Sequence, residues 1–205
     1  MESTNPPDAE LLRSMLAGDP EALASLYRRH HGPIYRFALQ MCGSKTIAED
    51  ITQEVFLVLI HNTASFDETR GTLNNFLLGV ARNHVLRRLQ RERFYAPIDH
   101  PNGSEESAAT FNLSDDAHGP LDELTRNETI ETVRKAVLAL PERYREVVVL
   151  CDLQELSYVD AAKVLGCAIG TVRSRLHRGR SLLISKLRPA ESREATSLNS
   201  TRCFA

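Results

Sequence analysis

Residues 157–187, SYVDAAKVLGCAIGTVRSRLHRGRSLLISKL, have the pattern of two helices joined by a tight turn. Ser157 followed by Asp160 is a helix-start signal, because the hydroxyl caps backbone N–H groups and the acid favours the positive helix end. Gly166 stands where the first helix must stop and the chain must turn. Helical spacing in the second helix predicts a core-facing stripe of Ile169, Val172, Leu176 and Leu183. The segment is therefore predicted to be a helix-turn-helix.

The opposite face of this second helix carries side chains that suit DNA. These are short hydrogen-bonding residues and arginines, which read base edges and hold phosphates in a major groove: Thr171, Arg173, Ser174, His177 and Arg178. Residues 157–189 hold seven Lys and Arg against one Asp. A solvated basic face on an ordinary helix is the alternative, but charge, turn glycine and apolar spacing coincide here. We therefore expect this helix to bind DNA.

Charge is unevenly distributed along the 205 residues, although the net charge is only −2. Residues 70–93 hold six Arg against one Glu, whereas residues 94–132 hold nine acids against one Arg. Hydrophobic content of 42% and charged content of 25% are those of an ordinary soluble protein. The near-neutral total thus hides two cationic surfaces that flank an acidic segment.

Several classes of protein are disfavoured by what the sequence lacks. The cysteines form no C-x-x-C pair or Cys/His cluster, so neither a zinc site nor a disulfide framework is expected. The acidic start, MESTNPPDAE, does not resemble a signal peptide, and no apolar run is long enough for membrane insertion. No phosphate loop, metal-ligand spacing or nucleophile–base pair is visible. We expect a cytoplasmic protein that is not an enzyme and has no catalytic residue, metal or cofactor.

Helical periodicity prevails along the chain and no strand is predicted. The expected fold class is all-α, with two small helical domains joined by a flexible acidic linker. The predicted boundaries are a disordered lead at 1–9, a first domain at 10–93, the linker at 94–127, a second domain at 128–189 and a disordered tail at 190–205. Within the first domain, Pro33 is expected to open a new helix, and His30 and His31 to lie on the surface near a helix end. The linker is typical of a self-repelling tether, with competition against DNA for the basic faces as the alternative.

Two helices of the first domain have distinctive faces. Residues 46–61, TIAEDITQEVFLVLIH, begin with an acidic polar face and become apolar on every side near the end. Such an end must be buried all round or dock against a partner, because an uncovered apolar patch is costly in water. In residues 73–93 a basic stripe recurs at helical spacing and consists of His84, Arg87, Arg88 and Arg91.

Four segments, in chain order, resemble bacterial RNA polymerase sigma factors of the extracytoplasmic-function (ECF) group of the sigma-70 family. Residues 50–56, DITQEVF, are similar to the D-x-x-Q-E-x-F motif of region 2, and residues 73–83, LNNFLLGVARN, to F-x-T-W-L-x-x-I-A-x-N. Residues 140–147, LPERYREV, are similar to the L-P-x-x-x-R-x-V opening of region 4. Residues 170–178, GTVRSRLHR, match G-T-V-K-S-R-L-H-R almost letter for letter. The resemblance covers about residues 21–93 and 128–189; Asn75 and Phe76 replace the usual Thr and Trp.

The resemblance implies a transcription initiation factor that binds core RNA polymerase, directs it to −35 and −10 promoter elements and promotes DNA melting. The residues implied in binding the clamp helices of the largest polymerase subunit are Asp50, Gln53, Glu54, Phe56 and Ile60. Those implied in −10 recognition are Asn74, Asn75, Phe76, Arg82, Asn83, Arg87, Arg88 and Arg91. Those implied in −35 recognition are Thr171, Arg173, Ser174, Arg175, His177 and Arg178.

The resemblance also implies an anti-sigma factor as a partner, in a stress or envelope response. We hypothesise that this partner clamps the core-binding helix or separates the two domains across the linker. Two other classes remain alternatives. A conventional two-domain regulator, such as a response regulator, would need a strand pattern that residues 1–93 do not show. A polymerase-binding inhibitor or adaptor would not need the basic stripe of residues 84–91.

Overall fold

A computed structural model describes residues 6–63, 66–95 and 120–188, and all regular structure in these ranges is helical. The N-terminal half contains α1 (Asp8–Leu16), α2 (Pro20–Cys42), α3 (Lys45–His61), a 3-10 turn (Glu68–Arg70) and α4 (Leu73–Tyr95). The C-terminal half contains α5 (Pro120–Leu138), α6 (Glu142–Val148), a π-helical turn (Val149–Leu153), α7 (Tyr158–Leu165) and α8 (Ile169–Leu187). The predicted all-α fold class is confirmed.

The observed helix ends differ from the predicted domain boundaries. Helix α1 begins at Asp8, within the predicted lead, and its acidic first turn suits the positive end of a helix. Helix α4 continues to Tyr95 and α5 begins at Pro120, so both enter the predicted linker. Residues 1–5 of the lead, residues 96–119 of the linker, residue 189 and the whole tail (190–205) lie outside the described residues.

The prediction that Pro33 opens a new helix is wrong, because α2 runs unbroken through it. A proline inside a helix removes one backbone hydrogen bond and crowds the preceding turn. Here the neighbouring Ile34 and Phe37 are fully buried, and their burial offsets that cost. His30 is also buried, contrary to the expected surface position, and its Nε2 lies 3.1 Å from Asp8 Oδ2. This contact fastens α1 to α2.

Each half has its own core, and the two cores are continuous. In the N-terminal half, α2 packs against α1, α3 and α4; in the C-terminal half, α8 packs against α5, α6 and α7. Between the halves, α4 packs against α7, and α2 packs against α5, α6 and the π-helical turn. The buried hydrophobic residues of both halves form one cluster. The structure is therefore a closed arrangement, which the prediction of two tethered domains did not specify.

Candidate polymerase- and DNA-binding surfaces

The predicted helix-turn-helix is present, and local hydrogen bonds explain its shape. Ser157 Oγ accepts a hydrogen bond from the Asp160 backbone N–H at 3.1 Å and caps α7. Gly166 ends α7 with φ +63°, a left-handed conformation that glycine adopts without steric cost. The Cys167 N–H then donates to the Ala162 carbonyl at 3.1 Å, which closes the turn before α8.

Helix α8 presents most of its predicted DNA-binding residues to solvent. Val172 and Leu176 are buried against the rest of the C-terminal half. Ile169, predicted to face the core, is 38% exposed because it opens the helix ahead of the packed stripe. On the other face four predicted residues are exposed and two are half-buried: Arg173, Ser174, His177 and Arg178, and then Thr171 and Arg175. The face that was predicted to read DNA is thus available.

Close backbone packing and interactions of its arginines hold helix α8 against the rest of the C-terminal half. A Cβ atom built on Gly179 would lie 2.8 Å from Val148 Cγ2, so this position needs glycine for α8 to approach α6. Arg180 donates to both carboxylate oxygens of Asp152, at 3.1 and 2.6 Å, and this pairing raises the pKa of the guanidinium. The Arg178 guanidinium stabilises the ionised form of the Tyr144 phenol and lowers its pKa.

The pairing of Arg180 was not visible in the sequence. It was counted there with the basic face, but its partner lies 28 residues earlier in the π-helical turn. No periodicity within α8 distinguishes it from the arginines that face solvent. The basic face is therefore smaller than the charge count indicated.

Helix α3 carries an acidic rim beside an exposed apolar patch. The polar residues Asp50, Gln53 and Glu54 are exposed, as predicted. Ile60 is 43% exposed, and Leu57, which the sequence analysis did not select, is 53% exposed.

Phe56, which is predicted to contact the polymerase, is buried in this conformation. Its side chain is only 5% exposed, and its ring packs against Tyr27 with centroids 4.7 Å apart. The apolar end of α3 predicted that a patch exists, but only the direction of packing shows that Leu57 rather than Phe56 contributes to it. We define Asp50, Gln53, Glu54, Leu57 and Ile60 as the docking patch.

Some of the predicted −10 residues on α4 are exposed to solvent, whereas others contact the C-terminal half. Asn83, Arg87, Arg88 and Arg91 are exposed, and Arg88 pairs with Glu92 one turn away at 3.2 Å. Asn75 and Arg82 instead contact the C-terminal half. Asn75 Nδ2 donates to Asp160 Oδ1 at 2.8 Å, and Arg82 Nε lies 3.0 Å from Glu146 Oε1. The structure brings the predicted residues onto one helix but leaves only part of them accessible.

A cleft of about 450 Å³ lies at the start of α4. Phe66 and Phe76, both from the N-terminal half, line it with ring centroids 5.6 Å apart. Asn75 and Asn83 also line it. Residues of α7, including Lys163 and Val164, complete its wall. Asn74 is half-buried, and its Oδ1 atom is buried without a hydrogen-bond partner. Aromatic faces and amides are chemically suited to hold a flat heteroaromatic base.

Cys42 and Cys151 are unreactive thiols, and the described ranges show neither a metal-binding cluster nor a membrane-spanning helix. Burial raises the pKa of the Cys42 thiol to about 12 and also raises that of Cys151, so both stay protonated and weakly nucleophilic at neutral pH. Residues 6–63, 66–95 and 120–188 contain no group of three or more His, Cys, Asp or Glu positioned to hold a metal ion. None of the helices described there is long and apolar enough to cross a membrane.

Both halves of the chain match known families and proteins. Residues 26–95 match the family model "Sigma-70 region 2", and residues 130–183 match "Sigma-70, region 4". The chain is 30% identical over 178 residues to the ECF RNA polymerase sigma factor SigW of Bacillus subtilis, covering 86% of this chain and 95% of SigW. It is 33% identical over 176 residues to SigM of Mycobacterium tuberculosis strain H37Rv, covering 86% and 82% of the two chains.

Solved structures share the fold. One is CnrH in complex with the cytosolic domain of CnrY, with a TM-score of 0.62, 23% identity and coverage of 88% of this chain and 96% of the matched chain. Another is the sigma factor RpoE in complex with the anti-sigma factor NepR from Bartonella quintana, with a TM-score of 0.59, 23% identity and coverage of 80% and 95%. Together with the two matched regions and the relatives, the helix-turn-helix and the basic α4 identify this chain as a member of the ECF sigma factors of the sigma-70 family.

Proposed function

We propose that this chain binds core RNA polymerase, directs it to promoters with −35 and −10 elements, and promotes local DNA melting by binding alone. The observation that carries the proposal is α8, whose Arg173, Ser174 and His177 face solvent above a buried stripe. This is the geometry with which a recognition helix enters a major groove. The role needs no catalytic residue and no cofactor, and it belongs in the bacterial cytoplasm, where the polymerase works.

Helix α8 is the proposed −35 reader. Arg173 and Arg178 offer the forked donors that pair with guanine, and Ser174 and Thr171 offer short donors and acceptors. A good bidentate contact contributes about 1–3 kcal/mol of discrimination between bases. Arg173 lies nearer the start of α8 than Arg178 and is the stronger candidate for a direct base contact, because the first residues of a recognition helix reach the base edges.

The docking patch on α3 is the proposed contact with the clamp helices of the largest polymerase subunit. Leu57 and Ile60 provide the apolar centre, and the acidic rim of Asp50 and Glu54 provides orientation and charge complementarity. Glu54 Oε2 also lies 2.5 Å from His84 Nδ1, which connects the docking helix to α4. The docking patch on α3 therefore lies directly beside α4, the helix with the proposed −10 contacts.

The cleft at the start of α4 is the proposed site for an unstacked −10 base. Phe66 and Phe76 provide stacking surfaces, and Asn75 and Asn83 provide hydrogen-bonding groups. Unstacking a base costs on the order of a few kcal/mol, which the captured contacts would offset. The exposed Arg87, Arg88 and Arg91 would hold phosphates and make the affinity salt-dependent.

We further propose that an anti-sigma factor controls this chain. The solved relatives of the same fold are complexes with CnrY and NepR, and NepR is named as an anti-sigma factor. The exposed apolar residues Leu57 and Ile60 offer a partner a surface that the polymerase would also need. A pull-down from unstressed cells that recovered only core polymerase would contradict this control.

Run-off transcription is the direct test of the proposed function. Purified core polymerase is assayed with and without this protein on a fragment library from the source genome. New start sites with a shared −35/−10 pair are the expected result. Polymerase binding without initiation would instead support an adaptor, and DNA binding without polymerase binding would support a conventional regulator.

A further inference from the structure

We propose that the cleft at the start of α4 binds a small adenine nucleoside, adenosine or its monophosphate AMP, in the free protein. The inference extends the proposed function, because it uses the cleft that we assign to a −10 base. The cleft volume of about 450 Å³ lies within the range of about 300–1,000 Å³ for small-molecule sites. A free nucleoside needs neither DNA nor polymerase, so the two roles of the cleft can be tested separately.

The floor of the cleft is one face of α4, and Gly79 leaves the centre of this face empty. The residues of the face recur at helical spacing: Thr72, Asn75, Phe76, Gly79 and Asn83. A Cβ atom built on Gly79 would meet no atom within 4 Å apart from its chain neighbours and the local backbone of α4. Glycine inside a helix lowers stability relative to alanine, and crowding by neighbours does not explain it here. The missing side chain therefore provides room for a ligand.

Phe66 and Phe76 provide a stacking surface beside this empty space. Both residues are half-buried, and their ring planes are inclined by 57° with centroids 5.6 Å apart. Tilted aromatic pairs of this kind are favourable, so each ring supports the other. Val80 and Val164 add apolar surface to the lining. A flat heteroaromatic ring therefore finds an aromatic face and an apolar wall in the same cleft.

Two amides favour adenine over guanine. Asn83 is exposed and lines the cleft one turn after Gly79, and an asparagine amide can pair with both N6 and N7 of adenine. Guanine presents two acceptors on the corresponding edge and cannot satisfy both halves of the amide. Asn75 Nδ2 donates to Asp160 Oδ1 at 2.8 Å, which leaves the Asn75 Oδ1 atom to accept a hydrogen bond from an amino group.

The charges around the cleft favour a ligand with at most one phosphate. Among the described residues that line the cleft, Lys163 is the single cation and Asp67 the single carboxylate. Lys163 Nζ also lies 3.8 Å from Asp160 Oδ1, so its charge is already partly balanced. A carboxylate suits ribose hydroxyls, which donate hydrogen bonds to it, but it repels phosphates. The cleft therefore suits adenosine or AMP better than ATP.

A ligand in this cleft would contact both halves of the chain. Gly79 and Asn83 belong to α4, whereas Lys163 and Val164 belong to α7. A ligand that binds the folded protein and not the unfolded chain stabilises the folded protein by mass action. Adenosine and AMP are therefore expected to raise the midpoint of thermal unfolding of the full-length protein.

Isothermal titration calorimetry of the free full-length protein with adenosine, AMP, GMP and ATP tests the ligand class. We expect AMP to bind at least about tenfold more tightly than GMP, a factor within the range for one bidentate base contact. Adenosine should bind about as well as AMP, and ATP more weakly than either, because of the two carboxylates. No detectable binding of adenosine and AMP, or equal binding of AMP and GMP, would overturn the proposal.

Gly79→Leu tests the location of the site, because the new side chain would fill the floor of the cleft. The matched control is Gly32→Leu, at an interior glycine of α2 outside the cleft, where a Cβ would meet Arg36 Nη1 at 3.5 Å, an ordinary contact. We expect AMP binding to weaken at least about tenfold in Gly79→Leu, the order of one lost stacking contact, and to stay unchanged in Gly32→Leu. Circular dichroism verifies that both variants are folded. Unchanged binding in Gly79→Leu, or equal losses in both variants, would overturn the site.

Lys163→Met provides a second test at an exposed position, where folding is not at risk. We expect it to weaken binding of AMP and to leave binding of neutral adenosine unchanged, because only AMP carries a phosphate for the ammonium group. Lys135→Met, which removes an exposed cation from α5, should change neither ligand. Equal effects of the two substitutions on AMP would overturn the site.

Run-off transcription with core polymerase separates this site from the proposed function. A wild type that initiates transcription but binds neither adenosine nor AMP would overturn the nucleoside site alone. A wild type that binds AMP but does not initiate transcription would overturn the proposed function alone.

Discussion

Helices α8 and α4 are both basic, but their cations are in different situations. The arginines of α8 either face solvent or pair within their own half, as Arg180 does with Asp152. On α4, Arg82 pairs with Glu146, and Arg93 with Glu142, across the boundary between the halves. Interactions within a half persist when the halves separate, whereas interactions between halves are lost. The partner of a basic residue, more than its charge, therefore decides whether it is available to DNA.

The largest loss of stability is expected from a substitution that prevents α8 from packing against its own half. Gly179→Val places a branched side chain where a Cβ would already lie 2.8 Å from Val148 Cγ2. We expect the free energy of unfolding to fall by about 3 kcal/mol, the upper end of typical overpacking. Chemical denaturation would measure it. Gly170→Val is the control, because a Cβ there would meet no atom within 4 Å apart from its chain neighbours and the local backbone of α8; a similar loss in both variants would contradict the close packing.

A smaller change should separate sequence reading from general affinity. Arg173→Ala removes an exposed guanidinium from α8, and we expect at least about tenfold less discrimination between a specific and a scrambled −35 element, within the range for one base contact. Competition binding with the polymerase holoenzyme measures that ratio. If affinity for both DNAs fell equally, Arg173 would be a phosphate contact rather than a base contact.

On α4 the corresponding substitution should reduce affinity without altering specificity. Arg88→Ala is expected to weaken all promoters by the same factor and to flatten the slope of log affinity against log salt by about 0.7–0.9, the value for one phosphate contact. Titrations at several salt concentrations measure the slope. Arg13→Ala, which removes a cation from α1, should leave the slope unchanged. A promoter-dependent effect of Arg88→Ala would show that α4 also reads bases.

The smallest expected effect concerns the ion pair that stays within the C-terminal half. Asp152→Asn weakens the pairing with Arg180, whose side chain is 53% exposed. Solvent screens such a pair, so we expect a loss of no more than about 1 kcal/mol in the free energy of unfolding. The loss should shrink further at high salt. A loss that grew with salt would show that α8 depends on something other than this charge pair.

The sequence was sufficient wherever local rules govern the structure. Ser157 and Gly166 mark the ends of α7 because capping and left-handed turns depend on a few adjacent residues. Local rules failed at Pro33 and His30, where burial in the core of the N-terminal half outweighs the preference of the isolated residue. Every side chain from Val55 to Ile60 in α3 is apolar, so only tertiary packing distinguishes the buried Phe56 from the exposed Leu57.

The contacts between the two halves could not be predicted from the sequence. Asn75 and Asp160 are 85 residues apart, and Arg82 and Glu146 are 64 residues apart. From local patterns, Asn75 is predicted to contact DNA and Asp160 to belong to a helix-start signal, while Glu146 lies in the Leu140–Val147 motif that resembles the opening of region 4. No local pattern connects such residues, since their proximity depends on how α4 lies against α6 and α7 of the C-terminal half.

The buried position of Glu146 also limits how this protein can change over evolution. A substitution of Arg82 that altered promoter preference would leave a carboxylate with 3% exposure and no cation opposite it. Removing one partner of a buried pair typically costs about 3–5 kcal/mol, which is a large part of the stability of a small protein. Retargeting at Arg82 therefore requires a compensating change at position 146. In sequence comparisons of descendants, these two positions should vary together.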